Sequence, residues 1–203
     1  MKITLISDTH SKHKQLDGDL PGGEILIHAG DFMNSGYVKT EATEFFDWFD
    51  AIDNYDTKIL IAGNHDRIME NDPEWASGIL TGYKTIEYLQ DDDLTLYYDG
   101  HNGDFPEDNV HIYGSPWQPE FYNWAFNLPR MGQELESKWN DIPMNTDILV
   151  THGPAWGQLD TVAGQGVPLG CELLAERIKV GDLLLEFIKG SSICRFKQEE
   201  KTV

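Results

Sequence analysis

Four short apolar runs in this chain each end in polar residues. KITLIS (2–7), EILIHAG (24–30), TKILIAG (57–63) and TDILVTHG (146–153) are rich in Ile, Leu and Val, as is typical of buried strands. Carboxylate, imidazole or amide side chains stand at or directly after each end. The ligand crevice of a parallel sheet lies outside the carboxyl ends of its strands. We therefore expect the four ends to lie side by side and to form one site.

The residues at these four ends are of the types that bind hard or borderline divalent metals. Asp8 and His10 lie two positions apart in an extended segment, so both side chains can point to the same side. Asp31 has two oxygens and can bridge two ions. The four groups are Asp8-Thr9-His10, Gly30-Asp31, Gly63-Asn64-His65-Asp66 and Thr151-His152-Gly153.

Each of the four groups, taken alone, is typical of an ordinary turn. All four, however, follow predicted buried strands in order along the chain. Glycines stand beside the candidate ligands, where a missing Cβ leaves room for crowded backbones and ions. The joint pattern therefore favours a metal site over four unrelated turns.

The rest of the chain predicts an α/β sandwich in one domain. Apolar residues at three- and four-residue spacing predict an amphipathic helix over 38–52, between the second and third strands. That order indicates a β-α-β unit with parallel strands. Further strands are predicted within 84–89, 94–100 and 110–116, a short helix within 128–142 and another helix over 170–179.

Composition narrows the partners that the chain is expected to bind. Thirty-five acidic residues against fifteen basic ones give a formal net charge of −20. Such a surface disfavours nucleic acid polymers, whose binding relies on Lys and Arg, and it disfavours anionic membranes. A phosphate substrate would then need a metal to supply local positive charge. We expect a small phosphoester as the partner, and the oligomeric state stays open.

Cysteine usage and the first residues predict a cytoplasmic protein. Two cysteines, Cys171 and Cys194, are too few for a disulfide framework. The first apolar run is too short for a signal peptide. The sequence also has no apolar run of about 18 residues, which is the length that a membrane span needs.

The motifs D-x-H, G-D-x-x-N, G-N-H-D and T-H-G-P, in this order, resemble those of the calcineurin-like metallophosphoesterase superfamily. The stretches HIYGSPWQPEFYNWAFNLPR (111–130), KWNDIPMNTDILVTHGP (138–154) and GCELL (170–174) closely resemble one branch of it. That branch is the metallophosphoesterase-domain-containing (brain 239-type) group with its microbial and phage relatives. The resemblance runs from residue 1 to about residue 179.

The resemblance implies a four-layer α-β-β-α sandwich over residues 1–180 with a two-metal phosphoesterase site. Asp8 and His10 would hold the first ion, Asp31 would bridge, and Asn64 and His152 would hold the second. A hydroxide activated by the two ions would attack a phosphodiester. Mn²⁺ is the favoured metal, with Fe, Ni and Zn as alternatives.

The resemblance gives His65 a role at the phosphate and not at a metal. It would stabilise or protonate the leaving oxygen, because an imidazole is the natural general acid for an alkoxide. The sequence leaves open whether Asp66 orients His65. The remaining histidines are interpreted as surface or core residues; they are His13, His28, His101 and His111.

The chain departs from the family pattern after residue 180. The family normally continues with a strand and Gly-His-x-His, which completes both metal sites, but no histidine follows His152. DLLLEFI (182–188) fits the strand position, yet Lys189 stands where a ligand belongs, and a lone cysteine such as Cys194 is more often a bystander. We predict that residues 181–203 are a divergent or truncated tail, produced by a changed reading frame or a truncation. Missing strands would expose apolar surface and predict marginal stability or oligomerisation.

Two functions are therefore compatible with the sequence. The first is hydrolysis of a phosphodiester such as a small or cyclic nucleotide, with aromatic rings of SPWQPEFYNWAF (115–126) available for base stacking, although core packing is expected for most of them. The alternative is a non-catalytic fold that binds a metal, a nucleotide or a partner, which the missing Gly-His-x-His favours. Retention of five other ligands and His65 favours the enzyme. A nuclease of the same superfamily would need a basic groove, which the sequence does not indicate.

Overall fold

The computed structural model describes residues 1–98, 108–161, 166–180 and 185–187. In chain order the described strands are β1 (Ile3–Ile6), β2 (Gly23–Ala29), β3 (Tyr55–Ile61), β4 (Ile86–Tyr88), β5 (Asp92–Tyr98), β6 (Asp108–Ser115), β7 (Gln118–Pro119), β8 (Asn127–Leu128), β9 (Ile148–Thr151) and β10 (Leu185–Phe187). The described α-helices are α1 (Lys39–Ala51), α2 (Arg67–Asn71), α3 (Pro73–Leu80), α4 (Gln133–Asn140) and α5 (Glu172–Val180).

The strands form two four-stranded sheets within the described residues. The first has the order β1-β2-β3-β4 and is parallel throughout, as the predicted β-α-β unit requires. The second has the order β10-β9-β6-β5, with β5 and β6 antiparallel and the other pairs parallel. The short strands β7 and β8 pair with each other.

Three apolar clusters define four layers. The middle cluster joins the two sheets and includes Ile27 and Ile61 from the first sheet and Ile112 and Val150 from the second. The other side of the first sheet packs on helices α1 and α3, where the side chains of α1 include Phe45 and three other buried residues. The other side of the second sheet packs on α4 and α5 through a third cluster. This arrangement confirms the predicted α/β sandwich with helices outside two sheets.

The four polar strand ends converge on one site, as expected, but they come from two sheets. β1, β2 and β3 are neighbours in the first sheet, whereas β9, which leads to His152, belongs to the second. The middle cluster packs the sheets face to face, so the end of β9 meets the ends of β1–β3 across the two layers. The site therefore lies where the two sheets meet.

The sequence predicted the long helix well and missed two short ones. Helix α1 lies within the predicted 38–52 range and is shorter by one residue at each terminus. At the C-terminal end of α1, the buried Lys58 of β3 donates to the carbonyls of Asp50 and Ile52. Helices α2 and α3 were not predicted; Asp72 caps α3 by accepting from Trp75 N at 3.2 Å. α2, with five residues, is too short for periodicity to reveal.

The last described strand lies in the predicted 182–188 segment. β10 pairs with β9 in parallel at the edge of the second sheet. Lys189, Cys194 and most of the predicted 181–203 tail lie outside the described residues, and so does His101. Among the helices that the structure describes, none combines the length and the apolar character that crossing a bilayer requires.

Candidate metal centre

The loops after β1 and β2 bring Asp8, His10 and Asp31 together. These loops continue the pairing of the strands, since Asp8 N donates to Gly30 O at 3.0 Å and His10 N donates to Asp31 O at 3.0 Å. The three residues have positive φ angles of 53°, 42° and 59°. Such conformations cost non-glycine residues about 1–3 kcal/mol each and are concentrated at functional sites. The backbone is shaped here to present side chains and not to extend the sheet.

The buried carboxylate of Asp31 divides the candidate ligands into two groups. On one side, His10 Nε2 lies 3.9 Å from Asp31 Oδ2 and 3.8 Å from Asp8 Oδ1. On the other side, His152 Nε2 lies 3.3 Å from Asp31 Oδ1 and 3.1 Å from Asn64 Oδ1. The structure thus brings together all five residues that the sequence proposed as metal ligands. Each oxygen of Asp31 faces one of the two groups.

Three histidines at the centre contact the backbone through the same ring nitrogen. Nδ1 lies 2.8–3.2 Å from a carbonyl oxygen in the pairs His10–Met33, His65–Asn34 and His152–Ala29. A carbonyl oxygen only accepts, so Nδ1 carries the proton and Nε2 of the neutral ring keeps a lone pair. A backbone carbonyl on the far nitrogen is the usual support of a metal-binding histidine.

The donor set fits divalent cations. The Nε2 atoms of His10 and His152 converge with the oxygens of Asp31 and Asn64 at 3.1–3.9 Å. Asp31 is fully buried, and a buried carboxylate favours positive charge nearby. Imidazole, carboxylate and amide donors together suit Mn²⁺, Fe, Ni or Zn.

Two glycines allow the strand ends to approach closely. A Cβ on Gly63 would lie 2.5 Å from His152 Cε1 and closer still to Asp31 Oδ1. A Cβ on Gly30, whose φ is +90°, would lie 2.7 Å from His152 Nδ1. The missing Cβ atoms therefore leave room for the ligands themselves, which agrees with the crowding inferred from the sequence.

Asp66 holds the backbone of the site. Its carboxylate accepts from the backbone N–H groups of Asp31 at 2.8 Å, Gly63 at 2.7 Å and Met33 at 2.9 Å. Burial first, and then the charge of Asp31, raise the pKa of Asp66 well above its usual range, against these three hydrogen bonds. Asp66 thus joins the loop after β2 to the loop after β3, whereas the ring of His65 is positioned by the Asn34 carbonyl.

His65 lies at the edge of the centre, half-buried. A ring nitrogen of His65 lies within 4.8 Å of ligand atoms of both His10 and Asp31, and its backbone N donates to Asp31 Oδ1 at 2.7 Å. Its ring stacks on Trp124 at a centroid distance of 4.2 Å and meets the His10 ring edge-on at 4.6 Å. The ring is therefore held by the Asn34 carbonyl, Trp124 and His10. The Asn34 carbonyl contacts Nδ1 and not Nε2.

A cleft of about 930 Å³ adjoins the centre and shares Asn64, His65 and Gly153 with it. Three aromatic residues of the 115–126 stretch line this cleft, namely Phe121, Tyr122 and Trp124. The side chains of Phe121 and Tyr122 are largely exposed, with 53% and 76% of their surface open to solvent. The expectation that most of the five aromatics in this stretch pack in the core is wrong, because only Trp117 and Phe126 do so. The cleft is large enough for a nucleotide-sized ligand.

The described histidines outside the centre are structural. His13 is buried between Phe45 and Trp48, and His28 is buried with its Nε2 3.0 Å from Thr9 Oγ1. His111 in β6 contacts Thr95 Oγ1 at 3.1 Å. The interpretation of these three as surface or core residues agrees with the structure.

Sequence reasoning missed the residues that surround His65. The sequence indicates Trp124 only as one aromatic of the 115–126 stretch. It gives no role to Arg67, which also lines the cleft. The signal for Arg67 was its position two residues after His65 in a chain with few basic residues. Nothing local in the sequence connects Trp124 to His65, because 59 positions separate them and only the fold joins them.

Curated relatives have the same domain in longer chains. Metallophosphoesterase domain-containing protein 1 of Homo sapiens is 38% identical over 194 residues, covering 85% of this chain and 55% of that protein. A UPF0046 protein of Caenorhabditis elegans is 33% identical over 190 residues, covering 86% of this chain and 47% of that protein. The chain therefore spans about half the length of the curated relatives that it matches.

Solved structures and a family profile agree with these relatives. The crystal structure of the protein TT1561 of Thermus thermophilus superposes with a TM-score of 0.59 at 14% identity, covering 92% of this chain and 80% of that one, which supports the fold. The calcineurin-like phosphoesterase profile matches residues 1–187. The chain belongs to the calcineurin-like phosphoesterase family.

Proposed function

We propose that this chain is a metal-dependent phosphoesterase that hydrolyses a phosphodiester, such as a small or cyclic nucleotide. Family membership supports the general class of phosphoesterase that uses divalent metals. The observation that carries the finer proposal is the division of the five candidate ligands between the two oxygens of Asp31. A carboxylate placed in this way is suited to bridge two ions.

In this proposal Asp8, His10 and Asp31 would hold one divalent ion, and Asp31, Asn64 and His152 would hold the other. Mn²⁺ is the favoured metal, with Fe, Ni and Zn as alternatives. Bound ions of this class polarise phosphoryl oxygens and lower the pKa of coordinated water. The five residues supply oxygens and imidazole nitrogens, and Gly30 and Gly63 keep the space between them clear.

His65 is the proposed general acid. The Asn34 carbonyl accepts from Nδ1 at 2.9 Å and fixes the ring, so a second proton would be held at Nε2. Trp124 covers one ring face and prevents rotation. In the cleft, Nε2–H of the charged ring would donate to the leaving oxygen, which departs more readily as an alcohol than as an alkoxide.

The cleft favours a small substrate over a polymer. Phe121 and Tyr122 offer exposed rings for stacking a base, and stacking of this kind is worth about 1–3 kcal/mol per base. The formal charge of −20 opposes a long polyanion. A cytoplasmic location, supported by the few cysteines, also belongs to the proposal; the described cysteine, Cys171, is a buried free thiol.

Hydrolysis of bis(4-nitrophenyl) phosphate with added Mn²⁺ tests the proposal. Asp31→Ala should abolish activity, and His65→Ala should lower kcat by about 10²- to 10⁴-fold, the usual range for a general acid. The loss at His65→Ala should be larger for a phenyl than for a 4-nitrophenyl leaving group, because the poorer leaving group needs the proton more. His111→Gln, which changes a histidine outside the centre, is the matched control.

Activity that survives both the Asp31 and the His65 change would contradict the proposal, as would no hydrolysis at millimolar Mn²⁺. The second outcome would favour a non-catalytic fold that binds a metal, a nucleotide or a partner. One observation supports that alternative: among the described residues, the proposal assigns each ion only three protein ligands. Mn²⁺ binding without hydrolysis would identify it.

A further inference from the structure

We propose that Arg67 binds an anionic group carried by the leaving alcohol of the substrate, so that the site prefers phosphodiesters whose leaving group bears a carboxylate or a phosphate. This inference rests on the proposed function and makes Arg67 a specificity-determining residue. Arg67 begins α2, two residues after His65, and it lines the same cleft.

Aromatic rings fix the guanidinium of Arg67. Its Cζ lies 4.9 Å from the ring centroid of Trp124 and 5.1 Å from that of Tyr37. Cation–π contacts at these distances are favourable and limit the rotamers of a long side chain. Because Trp124 also stacks on His65 at 4.2 Å, one indole holds both the proposed acid and the guanidinium.

Within the described residues, the guanidinium of Arg67 donates one hydrogen bond to the chain. One Nη donates to the carbonyl of Asn123, and among the described residues the buried Nε has no hydrogen-bond partner. In the part of the chain that the structure describes, no carboxylate forms an ion pair with this side chain. A guanidinium has five N–H donors in a fork that matches a carboxylate or phosphate. The Nη groups of Arg67 can therefore donate hydrogen bonds to an anionic ligand from outside the chain.

Arg130, the other arginine of the cleft, differs in this respect. It forms an ion pair with Glu172 at 3.0 Å and donates to the carbonyls of Leu169 and Gly170. Its charge and donors are already engaged in holding the loop before α5. Of the two arginines, Arg67 is thus the one with donors available to a ligand.

The acidic residues of the cleft restrict where an anionic group of the substrate can bind. Glu120 and Asp160 line the same cleft, in a chain of formal net charge −20, so an anionic group is disfavoured where no cation meets it. Arg67 is joined through Trp124 to His65, which faces the leaving oxygen in the proposed function. The anionic group is therefore placed on the leaving side and not on the group that stays with phosphorus.

Two matched aryl diesters test this inference in the Mn²⁺-loaded protein. One is methyl 3-carboxy-4-nitrophenyl phosphate and the other is its neutral carboxamide. Wild type should prefer the carboxylate by about tenfold to 100-fold in kcat/KM, the range of a charge-assisted hydrogen bond. Arg67→Gln should bring the ratio near one, and Arg67→Lys should keep part of it. The ratio cancels any general loss of activity.

Lys39→Gln is the matched control, because Lys39 makes a similar cation–π contact, 4.9 Å from the Trp75 ring, outside the residues that line the cleft. It should leave the ratio unchanged. Equal use of the two substrates by wild type, or a preference that persists in Arg67→Gln, would overturn the inference.

Calorimetric titration separates this inference from the proposed function. The ligands are the corresponding non-hydrolysable benzylphosphonate methyl esters, one with a carboxylate and one with a carboxamide. If wild type hydrolyses neither diester, the proposed function fails. A binding preference for the carboxylate that Arg67→Gln removes would still support the anion site, and equal binding of the two phosphonates would overturn it.

Discussion

At the scale of single residues, the buried carboxylate of Asp31 determines what the centre can do. It lies at full burial between His10 and His152, whose Nε2 atoms carry lone pairs because their Nδ1 protons point to backbone carbonyls. A buried carboxylate flanked by two imidazole nitrogens offers a divalent cation three donor groups at once. This chemistry of the donor set, together with the family, is the physical reason to infer metals.

His28 should make the stability of the fold depend on pH. Burial lowers the pKa of His28 from 6.5 to about 3, so the folded chain keeps this ring neutral where the unfolded chain protonates it. The contribution to stability is complete above about pH 6.5 and is lost as the pH falls from there towards 3, by roughly 1.4 kcal/mol per unit. Urea midpoints at pH 7.5 and 5.5 should therefore fall further in wild type than in His28→Leu.

His111→Leu, at a half-buried histidine of β6, is the control for that comparison. It should retain the wild-type fall between the two pH values. If His28→Leu shows the same fall as wild type, another group is responsible for the pH dependence.

The residue types of the centre were predictable from the sequence, whereas the contacts of its neighbours were not. Asp8, His10, Asp31, Asn64 and His152 follow recognisable strands, so their convergence could be inferred before the structure. The hydrogen bonds of Asp66 to three backbone N–H groups depend on how the loops fold back. A lone aspartate after a histidine does not indicate such a role.

At the scale of elements, the site forms where strand ends of two sheets approach so closely that a Cβ on Gly30 or Gly63 would collide with His152. Gly63, after β3, and Gly30, after β2, are the points of closest approach to His152, which follows β9. The strands and α1 were predicted because their apolar patterns are long and regular. The placement of β9 in the second sheet was not, since an apolar run does not reveal which neighbours a strand has.

Gly63→Ala should disrupt the centre while the fold persists. The added Cβ would meet His152 Cε1 at 2.5 Å and also Asp31, so at least one side chain must move. We expect Mn²⁺ affinity to fall by about tenfold or more, by analogy with the loss of supporting interactions around metal ligands. Competition with a metal-sensitive dye measures that change.

Gly78→Ala is the matched control, because Gly78 lies in α3 and a Cβ there meets nothing within 4 Å. Alanine should leave Mn²⁺ affinity unchanged and raise helix stability by roughly 0.5–1 kcal/mol. Equal Mn²⁺ affinity of Gly63→Ala and wild type would show that the glycine does not shape the centre.

At the scale of the whole molecule, the acidic net charge restricts which ligands the cleft can bind. The net charge of −20 is offset in the cleft by Arg67 and by any bound cations. The marginal stability or oligomerisation expected from missing strands stays a prediction, as does a domain boundary near residue 180.

Mn²⁺ stoichiometry tests the bridging role of Asp31 most directly. Equilibrium dialysis at millimolar Mn²⁺, with circular dichroism to confirm folding, should find two ions per wild-type chain and in the control His111→Gln. His152→Ala should keep about one, because it removes a ligand from one side only, and Asp31→Ala should keep close to none. A folded Asp31→Ala chain that still binds two ions, or a wild-type chain that binds fewer than two, would contradict a centre bridged by Asp31.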